Sequence, residues 1–283
     1  AVGTYTFRGV IFVDGDGNPI NDSTIVFTRT QTALASLPQQ LDFTGYTGAN
    51  LNTLYPDWIE TEDFPVPSGT TSAWTDQDDL GFSGNKTARI NLYSDFNEEW
   101  LLGPRFTAGV NSVLSYKVAV TNWNSVTVGD AMGSDDKMYV YLSNDCGLSW
   151  IAIDSVDASN NLTTTLTTRG VTLGTYAGQD VIIGFFATDG TVDDTQDYDL
   201  HLDDINIYTA PSNDVGVIDF VGSGSTTICG EDEQPFAVVI QNFGVNTQTT
   251  FPVNVDITGS ATLNLTANRS EERRVGKECR SRW

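Results

Sequence analysis

Residues 136–150 read DKMYVYLSNDCGLSW, and they decide the fold. Within them Met138, Val140 and Leu142 alternate with Tyr139 and Tyr141, so the apolar side chains project to one side of the chain and the tyrosines to the other. This alternation is typical of a β-strand with one buried face. The runs YAGQDVIIGFFATDG and LHLDDINIY, at 176–190 and 200–208, predict further strands of the same kind.

Alternation with period two recurs along the whole chain, whereas helical spacing is scarce. The alternating segments are residues 5–13, 88–93, 113–120, 138–142, 181–186, 200–208 and 236–240. Between them lie clusters of turn-forming residues such as DGDGN, GSDD and TDGTVDDT. The sequence therefore predicts an all-β protein built as a sandwich.

The last fifteen residues, RSEERRVGKECRSRW (269–283), resemble the translated read-through of a common sequencing adapter, and we treat them as a non-native tail. They hold six of the 14 basic residues and three of the 37 acidic ones. Without them, 8 basic and 34 acidic residues remain, so the net charge changes from −23 to −26.

So negative a chain repels phosphate backbones and anionic lipid, which argues against nucleic acid as a partner. No run of 18 apolar residues is present, so the sequence also predicts no direct membrane insertion. The chain begins AVGTYTF, without an initiator Met, and we expect any secretion signal to lie outside it.

Residues 31–210 resemble the choice-of-anchor J or cleaved-adhesin family, a jelly roll related in shape to MAM domains. The residues that carry the resemblance are LPQQLDF (37–43), Trp58, WLLGPRF (100–106), the run 139–150, YAGQDVIIGFFA (176–187) and LDDINI (202–207). Residues 1–30 resemble the closing strands, and residues 211–268 the opening strands, of immunoglobulin-like repeats in secreted surface proteins of the Bacteroidetes. Neither flank is long enough for a whole sandwich of about 100 residues.

The resemblance implies an all-β chain with a jelly-roll β-sandwich and an incomplete immunoglobulin-like β-sandwich. It implies a non-catalytic adhesion or display module of a larger bacterial protein that is secreted or held at the cell surface. The partner would be a glycan or protein of a cell surface or matrix. Two alternatives stay open: a carbohydrate-binding accessory module of a secreted hydrolase, and a structural stalk.

Carboxylates are the first candidates for a site. Residues 189–204 contain seven aspartates, whose mutual repulsion calcium would relieve, because Ca²⁺ takes six to eight oxygen ligands. The alternative is a set of solvated loop acids. We expect the ligands to be Asp197, Asp199 and Asp204, since the resemblance puts the end of the LDDI strand beside the first strand. Asp203 alternates to the other side and is expected to face solvent.

A second candidate for calcium is DGDGN, in which Asp14, Asp16 and Asn18 offer alternating oxygens like the start of a calcium loop. The loop has no Glu at its twelfth position and no flanking helices. A hairpin turn is the better interpretation.

Aromatic residues give the main binding hypothesis. Tyr139 and Tyr141 share one face of their strand and could form a platform on which a sugar ring stacks, with Trp123 in the loop TNWNS as its rim. The alternative is that the tyrosines merely cover the outside of a sheet. We interpret Trp58, Trp100 and Trp150 as structural.

The sequence does not predict an enzyme. His201 is the only histidine, and no nucleophile is placed beside it. One histidine, with Cys146 and Cys229 as the cysteines outside the tail, cannot make an open zinc site. We also expect no disulfide between those two cysteines.

Overall fold

The structure is a computed structural model. It describes residues 3–11, 14–15, 23–24, 26–31, 33–48, 51–78, 80, 86–93, 97–221, 237–259, 262–269 and 279–282. In this part of the chain strands dominate, which confirms the predicted all-β class. The helical elements described are α1 (Leu51–Leu54) and two 3₁₀ turns at Ala158–Asn160 and Gly174–Tyr176.

The strands run in chain order through two compact units. The first unit comprises residues 1–110 and 114–207, and the second comprises residues 111–113 and 208–283. The strand bounds are β1 (Gly3–Phe7), β2 (Phe27–Gln31), β3 (Gln39–Leu41), β4 (Ile59–Glu62), β5 (Thr75–Asp78), β6 (Lys86–Leu92), β7 (Glu98–Leu102), β8 (Phe106–Thr107), β9 (Ser112–Asn122), β10 (Lys137–Ser143), β11 (Ile151–Val156), β12 (Thr167–Thr172), β13 (Asp180–Thr188), β14 (Tyr198–Thr209), β15 (Val215–Val221), β16 (Ala237–Asn242), β17 (Phe251–Ile257), β18 (Leu263–Arg269) and β19 (Cys279–Arg282).

Two large antiparallel sheets form the first unit. The first sheet has the order β11-β10-β13-β7-β4, with β8 also paired to β13. The second sheet has the order β12-β9-β14-β6-β5, with β3 also paired to β14. Neighbouring strands are often distant in sequence, as β13 and β7 are, and such crossing between sheets is characteristic of a jelly roll. Strands β1 and β2 pair only with each other in a small sheet.

The core lies between the inner faces of these two sheets. Alternate residues of each central strand are buried there, as Val140 of β10 and Leu200 of β14 are. Tyr116 of β9 meets Phe185 of β13 edge-on, with ring centroids 5.3 Å apart. Each apolar side chain buried in this way contributes about 1.5–3 kcal/mol to stability. Trp58 belongs to this core, as the sequence predicted.

Polar side chains join the two sheets at the margin of the core. The Tyr116 hydroxyl donates to Asp154 Oδ2 at 2.7 Å, and Arg169 Nη2 donates to Asp154 Oδ1 at 2.6 Å. Since Asp154 lies on β11 and the other two residues lie on β9 and β12, this network links the edge of the first sheet to the edge of the second.

The second unit contains two smaller sheets. One has the order β15-β16-β19, and the other pairs β17 with β18. Val238, Ile240 and Val253 form its small buried cluster. The assignment of residues 211–268 to an immunoglobulin-like repeat stays a prediction.

Candidate functional site

The outer face of the first sheet carries two rows of side chains that alternation directs away from the core. In one row Tyr139 of β10 pairs with Phe186 of β13, which in turn pairs with Trp100 of β7. In the next row Tyr141 pairs with Gly184, and Gly184 pairs with Leu102. Strands about 4.8 Å apart thus bring rings from three distant segments together.

These rings form one cluster, which we call the aromatic face: Phe64, Trp100, Tyr139, Tyr141, Trp150 and Phe186. Trp100 lies at its centre, with ring centroids 4.7 Å from Phe186, 4.8 Å from Trp150 and 5.4 Å from Tyr141. Tyr139 and Tyr141 are adjacent, with centroids 5.3 Å apart and planes 29° from parallel. The predicted tyrosine pair is therefore part of a larger aromatic surface.

Gly184 makes room for this cluster. A Cβ at this position would lie 2.9 Å from Trp100 Cζ3 and 2.8 Å from Leu102 Cδ2. Both distances are shorter than van der Waals contact, so the absence of a side chain lets the Trp100 indole lie across β13.

Phe64 covers part of the aromatic face from the loop after β4. The Trp100 indole N–H donates to the Asp63 carbonyl at 2.8 Å, and the Phe64 N–H donates to Glu98 Oε2 at 3.1 Å. Phe64 lies parallel to Trp100 within 10° and is itself 41% exposed, whereas Trp100 is fully buried. The surface left open to a ligand is formed by Phe64 and the half-buried Tyr139, Tyr141 and Trp150.

A polar row borders the rings. Lys137 pairs with Thr188, which pairs with Glu98, and Lys137 Nζ lies 5.8 Å from the centroid of the Tyr139 ring. Burial raises the pKa of Tyr141, so its hydroxyl stays protonated and can donate a hydrogen bond at neutral pH. Apolar ring faces beside hydroxyl groups and charges suit a ligand with one apolar and one polar side.

The structure does not bring Trp123 against the two tyrosines. It follows β9 of the second sheet, where its backbone N–H donates to the Asp197 carbonyl at 3.0 Å. Its side chain is 51% exposed, and among the described residues no ring contact joins it to Tyr139 or Tyr141.

Each of the three predicted calcium ligands is bound to another side chain, and Asn91 interacts with both Asp197 and Asp199. Asp204 Oδ2 lies 2.6 Å from Lys117 Nζ, and Asp199 Oδ2 lies 3.1 Å from Arg89 Nη1. Asp197 Oδ1 accepts a hydrogen bond from the Asn91 amide at 3.0 Å.

The prediction that Asp203 faces solvent is wrong, because its side chain is fully buried. Asp203 does alternate to the side of β14 away from the core, but Asp199 and His201 on that side are also fully buried, so this side of the strand is covered. For the other predicted loop, Asp14 lies in a turn with Gly15, whereas Asp16 and Asn18 lie outside the described residues.

Three other carboxylates do converge in the described part of the chain. Asp135 and Asp136 precede β10, and Asp194 lies between β13 and β14; one ligand oxygen from each falls within 4.8 Å of the others. Asp135 Oδ2 accepts hydrogen bonds from the Thr191 and Val192 N–H groups at 2.8 and 3.2 Å, while its Oδ1 is buried without a partner.

Burial, with the nearby charges of Asp189 and Asp194, raises the pKa of Asp136 to about 6. Hydrogen bonds from Thr191 lower the pKa of Asp135 instead, so this carboxylate stays ionised. Hard oxygens of this kind, with repulsion between Asp136 and Asp194, fit a cation such as Ca²⁺. The sequence pointed to residues 189–204 for a metal site, but it did not point to Asp135 and Asp136, because only the order of the strands brings them beside Asp194. The predicted calcium site stays a prediction.

His201 is not placed for proton transfer. Its Nδ1 lies 3.1 Å from Thr87 Oγ1 and its Nε2 lies 2.9 Å from Thr121 Oγ1, and the ring is fully buried on the side of β14 away from the core. Burial, with the charge of Arg89, lowers the pKa of His201 to about 3, so the ring is neutral at physiological pH. Cys146 is a free, exposed thiol, and Cys229 lies outside the described residues.

No helix among the described residues is long and apolar enough to cross a membrane.

Comparison with known proteins gives structural neighbours only. No protein family and no curated protein matches the sequence. The K1 cleaved adhesin domain of Lys-gingipain from Porphyromonas gingivalis is 14% identical, with a TM-score of 0.42, over 62% of this chain and 99% of that one. A xylan-binding module is 14% identical, with a TM-score of 0.36, over 62% and 98%.

A third neighbour is the glycoside hydrolase domain of Endo-D from Streptococcus pneumoniae, 12% identical with a TM-score of 0.31, over 80% of this chain and 37% of that one. Identities and TM-scores this low leave the function to be argued from the geometry of the site.

Proposed function

We propose that this chain is a non-catalytic adhesion module of a larger bacterial protein, secreted or held at the cell surface, and that it binds a glycan at the aromatic face. The observation that carries this proposal is the aromatic face itself, where Tyr139, Tyr141, Trp150 and Phe64 remain open around a buried Trp100.

A sugar ring matches such a surface because it has an apolar face of C–H groups and an edge of hydroxyl groups. The apolar face stacks on the rings, and the hydroxyls bond to polar groups such as the tyrosine hydroxyls and the Lys137 and Glu98 side chains. The rings are already packed against one another, so little side-chain entropy is lost on binding.

A protein ligand is the alternative occupant of the aromatic face, and a stalk would leave it unoccupied. The display of hydroxyl-bearing rings favours the glycan. A carbohydrate-binding accessory module of a hydrolase would use the same surface, so the two roles differ in the parent protein rather than in the site.

We propose further that calcium stabilises the first unit at Asp135, Asp136 and Asp194. The support is the convergence of three carboxylates and the buried, unpartnered oxygen of Asp135. When bound, the cation would tie the loop before β10 to the loop before β14.

The glycan proposal is tested by binding of the full chain to a glycan array and to insoluble cellulose, xylan and chitin. Saccharide binding should weaken about tenfold or more in Tyr139→Ala and Tyr141→Ala, because loss of one stacked ring costs about 1–2 kcal/mol. Tyr93→Ala removes a tyrosine that is 43% exposed at the end of β6 in the second sheet, and it should bind as the parent chain does.

If all three variants bind saccharide equally well, the glycan binds at a place other than the aromatic face. Absence of binding to every saccharide would reject the glycan and leave a protein ligand or a stalk.

A further inference from the structure

A cleft opens in the first unit between the segment after β9 and the turn after β11. Its volume is about 160 Å³, and its walls include Val120, Met132 and Leu162 together with Asp130, Asp157 and Asn161. Since one water molecule takes up about 30 Å³ in the liquid, the cleft holds a group the size of one amino-acid side chain. It shares no residue with the aromatic face or with the three converging carboxylates.

The floor of the cleft is apolar. Val120 is 1% exposed and Met132 is 6% exposed, and Leu162 packs against the main core. Such a floor favours a ligand with an aliphatic portion, because covering it removes apolar surface from water.

The rim carries two carboxylates that are held in place. Asp130 accepts from the Asn122 amide through Oδ2 at 2.9 Å and from the Ala131 N–H through Oδ1 at 2.8 Å. Asp157 caps the turn at Ala158–Asn160 by accepting from the Ser159 N–H at 3.0 Å. A carboxylate oxygen has two lone pairs, so each group can still accept a hydrogen bond from a ligand.

No basic side chain lines the cleft to neutralise its two carboxylates. All of the residues that line it are described, and none is a lysine or arginine. The nearest cations are Arg169, which is bound to Asp154 at 2.6 Å, and Lys137, which lies over the Tyr139 ring. Hydrogen bonds from Ser159, with the charges of these two cations, lower the pKa of Asp157 and keep it ionised. The cleft thus combines an apolar floor with a polar rim that carries two carboxylates.

The geometry points to a binding site for a primary alkylammonium group, carried either by a free amine or by a lysine side chain. The alkyl stem lies on Val120, Met132 and Leu162, and the ammonium group donates charge-assisted hydrogen bonds to Asp130 and Asp157. An ammonium group has three donors and no acceptor, which matches a rim of two carboxylates. This site is independent of the proposed glycan function.

The test is an NMR titration of the ¹⁵N-labelled full chain with n-butylammonium, 1-butanol and ammonium chloride. We expect n-butylammonium to shift the amide signals of Met132 and Leu162 with a dissociation constant on the order of 1 mM. The alcohol lacks the charge and ammonium lacks the stem, so each should bind at least about tenfold more weakly. Nα-acetyl-lysine amide then separates the sources: its binding assigns the cleft to lysine side chains, and binding of n-butylammonium alone assigns it to free amines.

Asp157→Asn keeps the oxygen that accepts from Ser159, and Asp130→Asn keeps one of the two oxygens that accept from Asn122 and Ala131; each variant removes one charge. Either variant should bind n-butylammonium about tenfold more weakly than the parent chain does. Asp57→Asn changes the net charge equally at an exposed position outside the cleft and should leave the affinity unchanged. The proposal is overturned if 1-butanol or ammonium chloride binds as well as n-butylammonium, if all three variants behave alike, or if no signal of the cleft shifts.

Discussion

His201 shows how burial fixes the protonation of a single side chain. Its pKa is about 3 in the folded state and about 6.5 in an unfolded chain, so protons bind more strongly to the unfolded form. The stabilising contribution of neutral His201 is therefore complete above pH 6.5 and is lost as the pH falls towards 3.

Urea unfolding of the parent chain and of His201→Gln, at pH 7 and pH 5, measures this contribution. We expect the stability of the parent relative to the variant to fall by about 2 kcal/mol between the two pH values. The glutamine has no titratable group, so titration of carboxylates elsewhere cancels in the difference. If the difference in stability between the parent and His201→Gln is the same at both pH values, the folded protein accepts a proton on the His201 ring.

Gly184 tests the packing of the aromatic face at one position. Gly184→Ala should destabilise the fold by about 1–3 kcal/mol, because the new methyl group would lie within 3 Å of Trp100 and Leu102. Tryptophan fluorescence should change as the Trp100 indole moves.

Gly170→Ala is the matched control on β12, since a Cβ there would meet its nearest neighbour, the Leu114 carbonyl, at 3.8 Å. It should have no effect or stabilise slightly. Equal losses in the two variants would show that strand flexibility, rather than the Trp100 contact, decides the effect.

At the scale of elements, strand existence and side-chain direction could be predicted from the sequence. The period of two marks β9, β10, β13 and β14, and it correctly directs Met138, Val140 and Leu142 inwards. The partners of Tyr139 and Tyr141 could not be predicted, because Trp100, Phe186 and Phe64 reach them through pairing of strands far apart in the chain. Trp100 is fully buried beneath the aromatic face, as a structural residue would be, whereas the half-buried Trp150 contributes to its open surface.

Alternation gives the direction of a side chain but not whether that side of the sheet is covered. Asp203 lies on the same side of β14 as Asp199 and His201, and all three are fully buried. Similarly, the DD pair at 135–136 looks like a solvated turn in the sequence, and only the placement of β10 beside β13 turns it towards Asp194.

The network around Asp154 should stabilise the contact between sheet edges. Asp154→Ala leaves the Tyr116 hydroxyl and the Arg169 guanidinium without their acceptor in a largely buried place, and we expect a loss of about 2 kcal/mol in chemical unfolding. Asp180→Ala removes a carboxylate that is 41% exposed and lies 2.9 Å from Arg105 Nη2, on a side chain that is 12% exposed. The loss of stability in Asp180→Ala should be markedly smaller than in Asp154→Ala, because solvent screens the exposed Asp180 carboxylate. The opposite order would contradict a stabilising role for the network.

At the scale of the molecule, the main core lies entirely between Leu37 and Ile207. A fragment of residues 31–210 should therefore fold by itself and unfold in one cooperative thermal transition. Near-UV circular dichroism and calorimetry measure this. A fragment without a cooperative transition would show that residues outside 31–210 are needed to complete the sandwich.

Calcium should raise the melting temperature of the whole chain. At a concentration 100 times its dissociation constant the cation adds about 2.7 kcal/mol to the free energy of unfolding, which corresponds to a shift on the order of 5–10 °C. The shift should appear between millimolar calcium and chelator, and Asp194→Asn should abolish it. Asp204→Asn should retain it; the reverse pattern would place the ion where the sequence first suggested.

Trp100 and Trp150 give the molecule an intrinsic optical signature. Their indoles lie 4.8 Å apart with planes inclined by 39°, close enough for their electronic transitions to couple and to produce paired circular dichroism bands of opposite sign. Trp150 is only half-buried, so a ligand that settles on it changes that coupling without any attached dye. Occupancy of this surface can thus be followed in unlabelled protein by polarised ultraviolet light.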